Sequence, residues 1–575
     1  MRGYRATRRS TATLARTTCL AVFPFALIVA VAFAATRANA VEPFPLIRPA
    51  TRAQAVLTLS GGASMPVPCL SPLVQSLLDD PSSGAPAARR AIALLETATR
   101  LHAERRLVEP DGTTIRFTLL KGSFDRIDPA DEDDDGRPDV VQAVLAGVSE
   151  ARRLFGAALG LPVPDSVEVL LADIGGDLDG YTLPAGGSDG RPLLVVDASP
   201  AGKRAAARAA AIHQYAHAAA FASGGRMPLE WSEALATWAA VRIDGVADGV
   251  TAGILAARLA ALHEGLETDS LELAAGNALW LAFLDEAYGS AALRGAVDEL
   301  SNGHSPSAAF DIALQRTAGT SLTSAFREFQ LWSLLVGDRS NGQHFSFADR
   351  LTGPSFASVN EGLPALSVQT DPPVGSLGAA AVLLRPAETH GGLTLRFEGE
   401  TPGRWEADVL LVAFGGALHR LSLVLDAEGR GRLDVPLADA AELILLVRNL
   451  ETEADAPRRY AWSAQPLRGY PFDLTTLEAS RSGRIGALVE WETGAEHGLL
   501  GFNVLRSEDG GSSPVRVNPV WIPALGDEQS AASYQFLDAT ALPGVSYSYR
   551  IEGITETGLV SASESVKPRE RLLDR

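Results

Sequence analysis

Three side chains in the middle of this 575-residue chain have the types and the spacing to hold a divalent metal ion. His213 and His217 stand four apart within Ala-Ala-Ile-His-Gln-Tyr-Ala-His-Ala, whose alanine-rich flanks favour helix. On a helix that spacing puts both imidazoles on one face, close enough to share an ion. Glu233 follows His217 by sixteen residues, near the start of the next helical stretch, Pro228-Leu229-Glu230-Trp231-Ser232-Glu233-Ala234. Folded back, it can supply a carboxylate oxygen as the third protein ligand of a tetrahedral zinc, leaving a fourth position for water. Glu230 is read as a solvated acid favoured by the helix dipole, with a role as ligand or substitute base as the alternative. Tyr181 and Tyr215 are assigned to the core, and His263, His304, His344, His390, His419 and His497 to surface or packing roles.

A second cation site is suggested upstream, where Asp131-Glu132-Asp133-Asp134-Asp135-Gly136-Arg137-Pro138-Asp139 precedes a helical run at 140–155. Carboxylates at Asp131, Asp133 and Asp135, a turn-forming Gly136, the Arg137 carbonyl and an oxygen from Asp139 have the spacing of a calcium loop over 131–142. Gln142 stands at the twelfth position in place of the bidentate Glu, so weak binding with a structural role is expected. Asp173, Asp177 and Asp179 form a further acidic cluster to which no metal is assigned.

The elements that must position these residues read as strands at 114–118, 167–171 and 193–196 and helices at 203–222, 229–243, 251–265, 276–288 and 321–335, with a further helical stretch at 87–106. A sheet followed by helices is an α+β order, here assigned to 126–345. Past Asp338, Gly, Pro and Ser become frequent and short alternating strands take over, predicting a β-sandwich at 376–466. A second sandwich is predicted at 472–568, where Trp491 lies on an early strand and Tyr547 and Tyr549 on a late one. Residues 41–125 fit either a propeptide or an integral layer.

Two resemblances follow from these motifs. The His-Gln-Tyr-Ala-His helix, the Trp-Ser-Glu-Ala helix after it, the acidic loop before it, and the segments ALWLAFLDEAYG and SLTSAFREFQLWSLLVGDR together resemble a family of secreted bacterial zinc metalloproteases of the gluzincin kind, over roughly 126–340. That resemblance implies a zincin-like fold, activity on peptide bonds, and His213, His217 and Glu233 as the zinc ligands. It also exposes a departure: where the family carries the Glu that takes a proton from the attacking water, this chain has Gln214. An amide has no usable basicity near neutral pH, and such a base contributes roughly 10² to 10⁴ in rate. The last unit resembles a fibronectin type III domain through WET, GFNVLRS and LPGVSYSYRIEG.

Composition bounds the rest. With 46% hydrophobic residues and 21% charged the chain reads as globular, and a net charge of −19 disfavours phosphate backbones and anionic lipid, so no nucleic-acid or membrane-surface partner is expected. The first forty residues hold six Arg and no acid, an apolar stretch from Cys19 to Ala35, and Ala-Asn-Ala before Val41, the order of a signal for export cleaved after Ala40. An uncleaved anchor is the alternative. Cleavage would leave Cys69 alone, so neither an internal disulfide nor a Cys-based metal site is expected. The combined expectation is an exported multidomain α+β protein, with a zincin-like metallopeptidase domain followed by two immunoglobulin/fibronectin III-like β-sandwiches. It would bind zinc and calcium, act on or hold a peptide or protein, and be catalytically impaired at Gln214. The alternatives are a non-catalytic extracellular binding or adhesion protein on the same scaffold, and an active peptidase with a substitute base.

Overall fold

A computed structural model describes Cys69, Ser71 and, with short interruptions, residues 105–570. The segment expected to be an export signal, nearly all of 41–104, Asp177, His390 and His497 lie outside the described residues. The stretch expected to be helical to residue 106 instead enters a strand at Arg105.

The first sheet is built from β1 (Arg105–Val108), β2 (Thr114–Phe117), β3 (Glu168–Ala172), β4 (Gly180–Leu183) and β5 (Leu193–Asp197), in the order β1-β2-β3-β5-β4. Strands β2, β3 and β5 run parallel, while β1 and β4 are antiparallel edges. Parallel pairing requires a crossover, and helix α1 (Asp139–Arg152), continued as a π-helical turn at Arg153–Ala158, provides it between β2 and β3. Every residue of β3 is buried, which explains why Glu-Val-Leu-Leu-Ala lacks the alternation of a half-exposed strand.

Helices α2 (Arg204–Ala222) and α3 (Leu229–Asp244) follow, then α4 (Gly249–Ala260), α5 (Leu271–Gly276), α6 (Ala278–Phe283), α7 (Ser290–Ser301), α8 (Pro306–Ala318) and α9 (Leu322–Leu334). The helix expected at 276–288 runs from Ala278, continued as a π-helical turn at Leu284–Tyr288, and is set off from α5 by Asn277, whose buried side chain accepts from Arg258 Nε at 2.8 Å and donates to the Leu266 carbonyl at 2.7 Å. The helix expected at 251–265 ends at Ala260 because Arg258 turns its guanidinium onto the Ala261 and Glu264 carbonyls that follow. Small residues set the packing distance between α1 and α2: a Cβ on Gly147 would lie 3.0 Å from the Arg208 carbonyl oxygen. Trp231, Trp238 and Trp280 fill the space among the helices, with Trp231 edge-on to Phe310.

The next unit comprises β6 (Ser358–Glu361), β7 (Ala365–Ser367), β8 (Gly378–Arg385), β9 (Gly392–Gly399), β10 (Trp405–Ala413), β11 (Leu418–Leu423), β12 (Arg430–Pro436), β13 (Ala440–Asn449) and β14 (Tyr460–Pro466). Its two sheets, β11-β10-β13-β8-β6 and β12-β9-β14-β7, enclose one apolar core. The outer face of β8, β10 and β13 joins the helical core through Ala379, Ala381, Leu383, Leu410, Ile444 and Leu446. Burial on both faces explains the unbroken apolar runs of β8 and β13.

One charge cluster lies under that packing. Arg448 is fully buried and its Nη1 donates to Asp408 at 2.6 Å, while Arg420 and Ser422 hold the same carboxylate at 2.8 Å each. Burial opposes the Asp408 charge, but the Arg448 and Arg420 guanidiniums outweigh it and keep its pKa below the usual carboxylate range. A depressed pKa contributes stability that is present above the unfolded value of about 3.9 and is lost as pH falls through the folded value. Asp408→Ala leaves the guanidinium buried without its counter-charge and is expected to cost about 3–5 kcal/mol near neutral pH, measured by urea or thermal unfolding. A change within experimental error would show that Arg448 is compensated elsewhere.

The last unit contains β15 (Phe472–Arg481), β16 (Ala487–Glu496), β17 (Leu499–Glu508), β18 (Val515–Arg516), β19 (Ile522–Pro523), β20 (Ala532–Asp538), β21 (Tyr547–Thr555), β22 (Val560–Ala562) and β23 (Arg569–Glu570). Its sheets, β20-β16-β15-β23 and β18-β17-β21-β22, close on Trp491, which stacks on Tyr534 at 5.2 Å and meets Phe502 edge-on. Among the described residues, no helix is long and apolar enough to cross a membrane.

Candidate metal centre

Helix α2 crosses beneath the edge strand β4 and carries His213 and His217 one turn apart, while α3 packs on α2 and turns Glu233 back toward them. The three side chains that the sequence singles out are brought together. His213 Nε2 and His217 Nε2 lie 3.2 Å apart; Glu233 Oε2 is 3.4 Å from the first and Oε1 is 2.9 Å from the second. Ser232, next to Glu233, sits 3.0 Å from His217 Nδ1. A hydrogen bond there leaves Nε2 free to ligate, the usual way an outer partner fixes the imidazole of a metal site.

A fourth donor comes from far away in sequence. Cys69 Sγ is 3.4 Å from His217 Nε2, although 148 residues separate them. Cys69, His213, His217 and Glu233 form a cluster whose donor atoms all lie within 4.8 Å of one another, and it could hold a metal ion. This corrects the expectation that the lone cysteine would take no part in a metal site. Among the described residues only Cys69 and Ser71 represent this part of the chain, and they lie on β4: Cys69 pairs with Gly180, and Thr182 N donates to Ser71 Oγ at 2.9 Å.

The donor set fits zinc. Ligands at about 2.0–2.1 Å for nitrogen or oxygen and about 2.3 Å for sulfur set tetrahedral edges of roughly 3.3–3.6 Å. The 3.2 Å between the imidazole nitrogens and the 3.4 Å from Cys69 to His217 approach such edges, while Glu233 faces His213 through Oε2 at 3.4 Å and His217 through Oε1 at 2.9 Å, the latter as for a direct ion pair. Glu233 is completely buried, yet neither of its carboxylate oxygens has a hydrogen bond of acceptable geometry. A buried carboxylate needs a counter-charge, which the two imidazoliums facing it supply in the metal-free cluster and a metal ion would supply in their place.

The electrostatics of the metal-free cluster are interlocked. Burial opposes charge on both imidazoles, but Cys69 and Glu233 outweigh it and push His213 up to about 10 and His217 up to about 9. Burial likewise opposes ionisation of Glu233, which the two histidines overcome, holding it at about 2. Cys69 is lowered to about 7 despite burial and the neighbouring Glu233, because both histidines favour its thiolate. An arriving ion must displace the imidazolium protons, so metal uptake weakens as pH falls.

Gln214 sits beside the cluster, fully buried, with both ends of its amide engaged. Oε1 accepts from Ser71 Oγ and lies within hydrogen-bond reach of Thr182 Oγ1, each at 2.9 Å, and Nε2 donates to Cys69 Sγ at 3.4 Å. Gly180 is required for this approach, since a Cβ there would fall 2.5 Å from the Val195 carbonyl oxygen and 3.0 Å from Gln214 Cγ. Tyr215 is buried, its hydroxyl 3.3 Å from Arg152 Nε, and Tyr181 is buried too, consistent with core roles for both. Glu230 is not among the clustered donors.

The acidic loop forms a separate cluster of Asp131, Asp133 and Asp139. Backbone N–H groups of Asp135 and Gly136 donate to Asp131 at 3.2 and 2.9 Å, and Gly136 takes a positive φ of 84° that favours glycine. Asp135 turns its carboxylate to the Arg137 N–H at 2.8 Å, and Gln142 directs its amide nitrogen to Asp133 at 3.0 Å. The buried Asp139 is 3.0 Å from the Arg204 guanidinium.

Fold and site together define a multidomain protein in which a mixed α/β region holds a His/His/Glu/Cys cluster able to take a metal, followed by two β units, each of two sheets closing on an apolar core. No protein-family model matches the chain, and no curated protein does. Among solved structures it is similar to an Fn3-like protein from Clostridium thermocellum, at 18% identity over 18% of this chain and 96% of that one, with a TM-score of 0.13. It is also similar to the CBM22-1-CBM22-2 tandem domain of Paenibacillus barcinonensis Xyn10C, at 10% identity over 35% of this chain and 89% of that one, with a TM-score of 0.14. A third likeness is to the adhesin domain of Epf from Streptococcus pyogenes, at 11% identity over 35% of this chain and 73% of that one, TM-score 0.13.

Proposed function

We propose that the chain is an exported zinc-binding protein built on a metallopeptidase-like scaffold of the gluzincin kind, with peptide hydrolysis lost or strongly reduced. The observation that carries this reading is the convergence of His213, His217 and the buried Glu233 carboxylate beside a fully engaged Gln214. Zinc held there would act as a Lewis acid. Gln214 would orient by hydrogen bonding but accept no proton, since an amide nitrogen is not basic and its Oε1 already faces the Ser71 and Thr182 hydroxyls. Purification without chelators is expected to return about one zinc per chain with no measurable casein or peptide hydrolysis. A chain without zinc, or a zinc-loaded chain cleaving at ordinary peptidase rates, would overturn the reading.

For the acidic loop we propose weak calcium binding by Asp131, Asp133 and Asp139, supported by their proximity and by the backbone donors that hold Asp131 in place. The Arg137 carbonyl is the further oxygen that the spacing offers, and Gln142, with its amide nitrogen toward Asp133, is unsuited to replace the acidic twelfth ligand. Calcium is expected to raise the melting temperature by a few degrees, and Asp133→Ala to remove that response. An identical shift in the variant would exclude the loop as its source.

A further inference from the structure

We propose that Cys69 is the fourth ligand of the zinc site, making it a closed His₂-Glu-Cys centre that fastens Cys69 and Ser71 onto the edge of the first sheet. The inference rests on the zinc reading above and goes further, because a site with four protein ligands is structural, whereas a hydrolytic one keeps a position open.

Independent observations converge on it. Cys69 Sγ lies 3.4 Å from His217 Nε2, close to the edge that zinc–thiolate and zinc–nitrogen bonds would set, and within 4.8 Å of the other donors. The Glu233 carboxylate, buried, faces both imidazoles at 3.4 and 2.9 Å and so brings an anionic oxygen into the same donor cluster. Two N–H donors point at the sulfur: the backbone N of Ser71 at 3.4 Å and Gln214 Nε2 at 3.4 Å. Donors of that kind suit a thiolate ligand, and outer partners of this sort orient a ligand and tune its bond to the metal.

This arrangement gives Gln214 a positive role. A carboxylate at this position would put a negative oxygen against the thiolate sulfur, with the Glu233 carboxylate already in the same buried cluster. An amide removes that repulsion and supplies a donor in its place. The change that deletes the general base is therefore the change that makes room for a sulfur ligand, and the two residues form one unit. Ser71 completes it by donating to Gln214 Oε1 and accepting from Thr182 N, so the same short stretch supplies a ligand, a partner for Gln214 and a backbone pairing to β4. An extended peptide joining this edge of β4 would have to displace it.

The test is X-ray absorption at the zinc edge on the full, zinc-loaded chain kept under reductant. One sulfur neighbour at about 2.3 Å, alongside nitrogen and oxygen neighbours at about 2.0–2.1 Å, is the expected result. The sulfur shell should vanish in Cys69→Ser, which also excludes Cys19 as its source. Bound zinc with only nitrogen and oxygen neighbours would overturn this inference while leaving the zinc reading intact; no bound zinc would overturn both. Limited proteolysis gives a second readout that does not depend on the variant folding: zinc should slow cleavage near residue 69 of the native chain at least tenfold relative to chelator-treated protein. Equal rates would also overturn the fastening role.

Discussion

Replacing Glu233 by Gln is expected to reduce zinc content from about one per chain to near zero under a competing chelator, with the fold retained. The substitution keeps side-chain volume, removes the anionic ligand, and leaves His213 and His217 on their helix face. Losing only an outer partner of a ligand typically costs 10- to 100-fold in affinity, so losing the carboxylate ligand itself should cost more than about 100-fold. Zinc at about 1,000 times its dissociation constant stabilises a folded chain by about 4 kcal/mol; after a thousandfold loss of affinity the same zinc gives about 0.4 kcal/mol. Zinc should therefore raise the melting temperature of the native chain and leave that of Glu233→Gln nearly unmoved. Metal-free, the variant should be less stable than the native protein near neutral pH, since the charge that faces the buried His213 and His217 imidazoliums is gone. Equal zinc content and an equal thermal shift in both proteins would remove the metal from the cluster.

The part of this site that was legible in sequence is the part made by local geometry. Helical periodicity places His213 over His217 without knowledge of the rest of the fold, and a following helix able to fold back is enough to nominate Glu233. Gln214 was legible as a missing base, but its environment was not, because Ser71 and Thr182 reach it from elsewhere in the chain. Cys69 had no periodic signal at all. The available hint was chemical: a solitary cysteine in a chain that already carries a pair of metal-type histidines is a candidate thiolate ligand. Strand β4 was missed for a related reason, since Gly-Tyr-Thr-Leu is short and wholly buried, and only the helix and strand around it explain why glycine must begin it. Helix α8 went unread because its alanines give weak contrast between faces, whereas α7 does carry an amphipathic pattern, with Leu293, Val297 and Leu300 on its buried face, that was passed over. The apolar strands β8 and β13 were not singled out among the alternating strands of their unit, and sequence could not say that their second face meets the helices.

Restoring hydrolysis should take two substitutions. Gln214→Glu alone supplies the proton acceptor, but leaves Cys69 at the position a water must occupy and sets a carboxylate against its sulfur, so little turnover is expected. Cys69→Ser alone opens the position while Gln214 still accepts no proton. The double variant has both an open fourth position and a base beside it, and its casein hydrolysis is expected to exceed that of Cys69→Ser by roughly 10² to 10⁴, the range a positioned general base supplies. The effect should be non-additive, because each substitution removes an obstacle that the other cannot bypass. Zinc content must be measured in parallel, since the double variant retains His213, His217 and Glu233 and should still bind the ion, though less tightly than the native chain. Thr182 lies within hydrogen-bond reach of the introduced carboxylate and would donate to it, holding its pKa down and placing the gain toward the lower end of the range. A double variant that binds zinc and turns over no faster than Cys69→Ser would show that position 214 is not where the proton goes. If Gln214→Glu alone reached the full rate, Cys69 would not be the group that closes the site.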